Sequence, residues 1–256
     1  MIDWPRNTLP MLSVLAMLSP FAARTQSAHL ATAEVKARAA AGQKTMLAGQ
    51  DMSGDDLTGL DLSGADLHGA DLRKTNLHGV KLVHADLSGA NLEGADLTFA
   101  WIMNANFSHA NLRGAVLQTM VTSQAMENTP AEAANFSGAD FSGATMTVHF
   151  SFDDLHGANF SHAHMAPDMR NQSMGLLRTE FSSANLDGAN FEYAELGHVL
   201  FRFARLNGAS FRNAQLAGAD FTGAYLNGAD FSGADTQGAD FEAATLTNAR
   251  GLAPPH

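Results

Sequence analysis

The sequence predicts an all-β fold, a four-sided β-solenoid behind one short N-terminal helix. Three observations carry that expectation. An Ala-Asp-Leu-x-Gly motif, or a near variant, returns every five residues through most of the 256-residue chain. From Phe181 onward the central residue of each quintet alternates Phe with Leu, broken only at Thr236. The off-pattern quintet VKLVH at 80–84 is echoed twenty residues later by AWIMN at 100–104.

The chain starts with an apolar segment, LPMLSVLAMLSPFAA at 9–23, in which eleven of fifteen residues are apolar. A membrane-spanning helix needs about 20 such residues, so this length fits the core of a secretory leader. Residues 1–27 are therefore expected to be a signal peptide, and the mature chain to have no membrane span and to be periplasmic or secreted. The flanks are weak for a leader, since Asp3 offsets Arg6 and no clean small-x-small cleavage site follows. The alternative is an apolar helix docked on the domain of a cytoplasmic protein. Residues 28–42 (AHLATAEVKARAAAG) are rich in Ala, lack Pro and stop at Gly42, which predicts a capping helix.

From 43 to 250 the five-beat rules. Five residues advance 500° on an α-helix and flip the face of a flat strand, so neither element accepts the repeat. A coil does. In GADLHGADLRK at 64–74, Ala65 and Leu67 share one face of an extended segment while Asp66 points away. His68-Gly69 then turns the chain, and Ala70 and Leu72 point inward again. One coil cannot bury its apolar face alone, so coils must stack. The central residues run from Met52 to Leu117, from Phe136 to Met146, from Phe150 to Met165 after a one-residue slip, and from Phe181 to Leu246. Breaks are expected near 118–133 and 166–178.

The alternation of Phe with Leu keeps each Phe on its own stack only if a coil holds an even number of quintets. With the twenty-residue echo, four is the smallest even number that fits, although a duplicated ten-residue unit would give the alternation without any geometry. At about 4.8 Å per coil, 35 quintets make roughly nine coils and a rod of about 40 Å.

The tandem motifs ADLSG, ANLEG, ANFSG and ADFTG resemble the pentapeptide repeat family over about 50–117, 134–165 and 179–248. That resemblance implies a right-handed quadrilateral β-helix. It implies little about activity, since most members have none known, although the best understood mimic DNA and bind DNA gyrase.

Composition excludes much chemistry. No Cys is present, so disulfides and thiolate metal sites are absent. The net charge is -11, with +2 on residues 1–40 and hence -13 beyond them, which disfavours direct nucleic-acid binding. The repeated acids, Asp56, Asp61, Asp66 and Asp71, fall on successive sides and are expected to serve turns rather than acid/base catalysis. No enzyme activity and no cofactor are expected. Met146, His149, His156, His162, His164, Met165, Met169 and Met174 lie within 29 residues and are of types that suit copper. Their spacing follows the repeat, so Met146 and Met165 are expected in the core and no metal is expected.

Two apolar patches are candidates for protein interaction. Val83, Trp101 and Met103 are placed on one outer side, with Phe99 at the corner leading into it and Lys81 and His84 around them. The competing expectation is that the 118–133 loop covers this side. Leu200 and Phe203 form the second patch. The resulting reading is a non-catalytic interaction solenoid, with a protein partner or a homodimer. The alternative is an acidic DNA mimic binding a type II topoisomerase.

Overall fold

The structure, a computed structural model, describes residues 32–41, 46–124, 128–166 and 178–252. The expected leader at 1–27 lies outside them, as do Met169 and Met174. The expected N-terminal helix is present as α1, Thr32–Ala40, and residues 28–31 and 42 of the span read from composition lie outside the described residues. Its Val35 is fully buried in the same core as Leu47 and Met52, so the helix is docked against the solenoid.

Beyond α1 the chain is a stack of coils joined by parallel bridges. One column runs Met46, Asp66, Asp86, Asn106 in steps of twenty, the four-quintet coil expected. The step to Asn135 is 29, to Asp154 is 19 and to Asn185 is 31, after which it is twenty again to Thr245. Two insertions and one deletion are thus absorbed without breaking the stack. The deletion is the slip seen in the sequence, where only Thr147, Val148 and His149 separate Met146 from Phe150. Among the described residues only two longer strands form, β1 (Val116–Gln118) and β2 (Thr145–Thr147), paired in parallel. Elsewhere each side has room for a single bridged residue before the next turn.

The turn explains the quintet. The N–H of the small residue closing each quintet donates to the central carbonyl three positions back, as from Ala85 to Leu82 O at 2.9 Å. The third turn position has positive φ, +63° at Gly89, as a type II turn requires. The Asp or Asn side chain steadies the same turn. Asp51 Oδ1 accepts the Ser53 N–H at 3.0 Å, and Asp220 Oδ1 accepts that of Thr222 at 2.9 Å. The acids are therefore turn acceptors, as their period indicated.

Inside, the aromatic stacks fall as expected. Phe201 lies between Phe181 and Phe221, with ring centroids 5.2 and 4.8 Å away and planes within 8°. Phe191, Phe211 and Phe231 form the opposite stack and meet the first edge-on, for example Phe191 to Phe201 at 5.6 Å and 84°. The two ends differ. Val35 covers the first coil, whereas Leu246 in the last is 37% exposed.

One boundary needs correction. The ladder does not stop at Leu117: Val121 still bridges to Trp101, and the chain departs only at Thr122. The break expected at 118–133 is therefore 122–134. The second falls between His164 and Glu180, with 167–177 outside the described residues.

Candidate functional site

The four sides of the coil are chemically unequal. Three carry outward columns made mostly of Asp, Asn, Glu, Gln and Thr, such as Asp51, Asp71, Asn91, Asn111 and Asp140. The fourth column reads Asp61, Lys81, Trp101 and Val121, and after the first insertion His149, Glu180, Leu200 and Asp220. Both apolar patches read from the sequence thus lie on one face. Trp101 and Leu200 are four coils apart, about 19 Å along the axis. The insertions flank that face too: the first leaves at its far corner after Val121, and the second enters at its near corner before Glu180.

Corner aromatics add to it. Phe99 (φ +59°) at the near corner and Phe203 (φ +56°) at the far corner are 46% and 58% exposed. Left-handed backbone is uncommon for bulky residues, and here each ring meets a residue of a neighbouring coil. Phe203 therefore lies over Gly223, where an added Cβ would sit 2.5 Å from Cδ1 of the ring. Phe99 meets His78 edge-on at 5.2 Å.

Around Trp101 a groove of about 520 Å³ is lined by Asp61, Ser63, Lys81, Val83, Trp101, Met103, Ser123 and Gln124. Trp101 is 37% exposed, and Lys81 Nζ sits 5.8 Å from its ring centroid and 4.0 Å from Asp61 Oδ2. Hydrogen bonds from the Ser63 side chain and N–H hold the Asp61 carboxyl below its usual range, so this wall is anionic. The groove combines an aromatic platform with a charged rim.

Two residues expected on the surface are not there. Met103 is 1% exposed, because the first insertion folds back beside it. The Asn104 N–H donates to Glu132 O at 3.0 Å and Asn104 Nδ2 to Ala131 O at 2.7 Å, fastening the insertion next to Met103. Leu200, though on an outward column, is 8% exposed. The covering-loop expectation holds for Met103, while Trp101 and half-buried Val83 keep a free edge.

Glu132 organises the insertion. Its carboxylate accepts Ser123 Oγ at 2.7 Å, the Gln124 N–H at 3.1 Å and Thr129 Oγ1 at 3.2 Å. These bonds, led by that from Ser123, keep it below the ordinary glutamate value. Sequence reading missed the inward polar residues Asp55, Thr75, Asp153 and Thr179, all buried where the repeat mostly places Ala. The broken Ala pattern in SFDDLHG was the available signal for Asp153. Its Oδ1 accepts the Ala134 N–H at 2.7 Å, and burial pushes its carboxyl up to about 8.

The histidines follow the repeat rather than a coordination sphere. His149 and His164 face Glu180 and Glu195 at 3.9 and 3.0 Å, while His162 stacks on Tyr193. Met146 and Met165 are core. Among the described residues no group of three or more His, Cys, Asp or Glu could hold a metal, and no helix is long and apolar enough to cross a membrane.

Comparison with known proteins agrees with the repeat. The family model described as "Pentapeptide repeats (8 copies)" matches residues 51–89 and 81–118, and "Pentapeptide repeat region" matches 174–250. Among solved structures, HetL, a pentapeptide repeat protein involved in heterocyst differentiation regulation in the cyanobacterium Nostoc, is 30% identical. The match covers 86% of this chain and 97% of HetL, with a TM-score of 0.41. Full-length QnrB1, a plasmid-mediated fluoroquinolone resistance protein, is 18% identical over 80% of this chain and 92% of that one, with a TM-score of 0.33. A pentapeptide repeat protein of the Arabidopsis thaliana thylakoid lumen is 28% identical over 53% and 74%, with a TM-score of 0.18. No curated protein matches.

Proposed function

The chain belongs to the pentapeptide repeat family, and on that premise we propose a non-catalytic interaction protein. It is a rigid right-handed quadrilateral β-helix that presents one face to a protein partner. The observation that carries this reading is the convergence on the fourth face of exposed Phe99, Trp101 and Phe203, half-buried Val83 and both insertions. Met103 and Leu200 support that face from beneath rather than touching the partner. Exposed aromatics inside a polar rim are the commonest anchors of protein interfaces. The apolar segment at 9–23, read as the core of a leader at 1–27, supports a periplasmic or secreted location. The half-open last coil, with Leu246 exposed and Phe241 only partly buried, offers a second copy a place to stack as a homodimer.

The net charge favours a second reading, an acidic DNA mimic in the cytoplasm that binds a type II topoisomerase. Against it, the acids are spread over all four columns and arginines cross them, as Arg202 to Asp220 at 2.5 Å and Arg212 to Asp230 at 3.6 Å. Mass spectrometry of the mature N-terminus from fractionated cells separates the two. A start near 24–28 in an exported fraction removes the mimic, and an intact Met1 in cytosol restores it.

Trp101→Glu tests the face itself. With the ring partly exposed and Lys81 beside it, the variant should melt within a few degrees of wild type. Losing a Trp anchor typically costs at least about 2 kcal/mol, roughly thirtyfold in affinity, so capture of the partner should collapse. Tyr225→Glu, on another face and 49% exposed, should leave capture intact. Equal capture by both variants refutes the assignment.

A further inference from the structure

We propose that Asp153 is a pH-responsive clamp on the Asn128–Ala134 segment, and through it on the cover beside Trp101. The proposal rests on the fourth face being the working face. Its structural basis is a missing turn. In a regular quintet the closing small residue donates its N–H to the central carbonyl three positions back, as Ala105 does to Ile102 and Ala184 to Phe181. Ala134 has no such acceptor, because the insertion enters through a short 3₁₀ turn, Pro130–Glu132, in place of a quintet. The acceptor comes instead from the next coil, where Asp153 occupies the matching inward position and takes the Ala134 N–H at 2.7 Å.

This solution places a carboxyl where the repeat mostly uses Ala. Asp153 is 3% exposed, and its second oxygen, Oδ2, is buried with no hydrogen-bond partner. Titratable residues of the adjoining segments all point outward: Glu132 to Ser123, Asp154 to His156, and Glu180 to His149. None compensates a charge on Asp153, whose surroundings are set by burial first and the Ala134 amide second. A neutral carboxyl suits the site, and an ionised one does not.

Linkage fixes the direction. Below the ordinary value of 3.8 the carboxyl is neutral whether the segment is closed or open. Between 3.8 and about 8 only the open form releases the proton, so each pH unit favours opening about tenfold. Above about 8 both forms are ionised and the effect levels off. Glu132 acts in the opposite sense and in a separate range, since its lowered value makes its bonds fail only in acid. Opening would free Glu132 from Asn104, and with it Ser123 and Gln124, which wall the Trp101 groove.

Amide hydrogen exchange of the full chain, followed by mass spectrometry and corrected for the intrinsic pH dependence of exchange, tests this. The opening constant of peptides covering 128–134 should rise about tenfold per pH unit from 5 to 8 and then flatten, while peptides from 201–230 stay unchanged. Asp153→Asn keeps an oxygen for the Ala134 N–H but cannot ionise, so its profile should be flat. Asp153→Ala removes the acceptor and should leave the segment open at every pH. A wild-type profile that is flat, or that Asp153→Asn does not alter, overturns the proposal. So does a rise shared equally by 201–230, which would mean global unfolding. None of these readouts involves a partner, so loss of binding in Trp101→Glu and failure of the clamp are separable results.

Discussion

Replacing Phe201 by Ala probes the feature on which the whole solenoid depends. The ring is fully buried, sandwiched at 5.2 and 4.8 Å by Phe181 and Phe221 and met edge-on by Phe191 and Phe211 at 5.6 and 5.8 Å. Removing a buried Phe usually costs about 3–5 kcal/mol, with the upper end reached where the site cannot collapse. Collapse is opposed here because the backbone ladder on every side fixes the coil spacing, as in Phe201 N to Asp220 O at 2.7 Å. Four aromatic contacts are lost as well, so about 5 kcal/mol is the expected loss. For a chain of this size that lowers the melting temperature by roughly 10–20 °C. Scanning calorimetry should show the drop, and urea unfolding should show a lower midpoint. Asp220→Ala, on the outside of the neighbouring coil, forfeits turn and Arg202 hydrogen bonds worth about 1–2 kcal/mol in total. Its melting temperature should fall by only a few degrees. If the two variants melt together, the inward stack is not what holds the coils, and the packing argument fails.

Two further outcomes follow from the corners and the histidines. Gly223→Ala places a Cβ 2.5 Å from the Phe203 ring at a φ of +68° and should cost about 1–3 kcal/mol by thermal melting. Combining it with Phe203→Ala should recover most of the steric part, and a purely additive double variant would refute the contact. Stoichiometric copper or zinc should leave the melting temperature unchanged. A shift abolished by His162→Ala/His164→Ala would show a metal site that the spacing argument denies.

The repeat was legible because it is a local rule. Leu82, Asp86 and Gly89 each reveal inward, outward and turning roles from position alone, and the Phe alternation from Phe181 reveals the four sides. The candidate face was only half legible. Counting by twenty put Trp101 beside Val83, but the link between Trp101 and Leu200 required following one column in space past both insertions and the one-residue slip, from Val121 to His149 and on to Glu180. Met103 and Leu200 were misplaced for the same reason, since position within a quintet says which way a side chain leaves the coil but not what else lies against it.

By itself, then, the sequence determined the coil: five residues per side, four sides, Phe over Phe, acids turned outward to hold the turns. Those features depend on contacts within one quintet or between identical positions of neighbouring coils. Tertiary structure alone decided which face is unlike the others, that Glu132 fastens the first insertion over Met103, and that Asp153 supplies the acceptor Ala134 lacks. These depend on where a non-repeating segment comes to rest, and a periodic rule has no information about the residues that interrupt it.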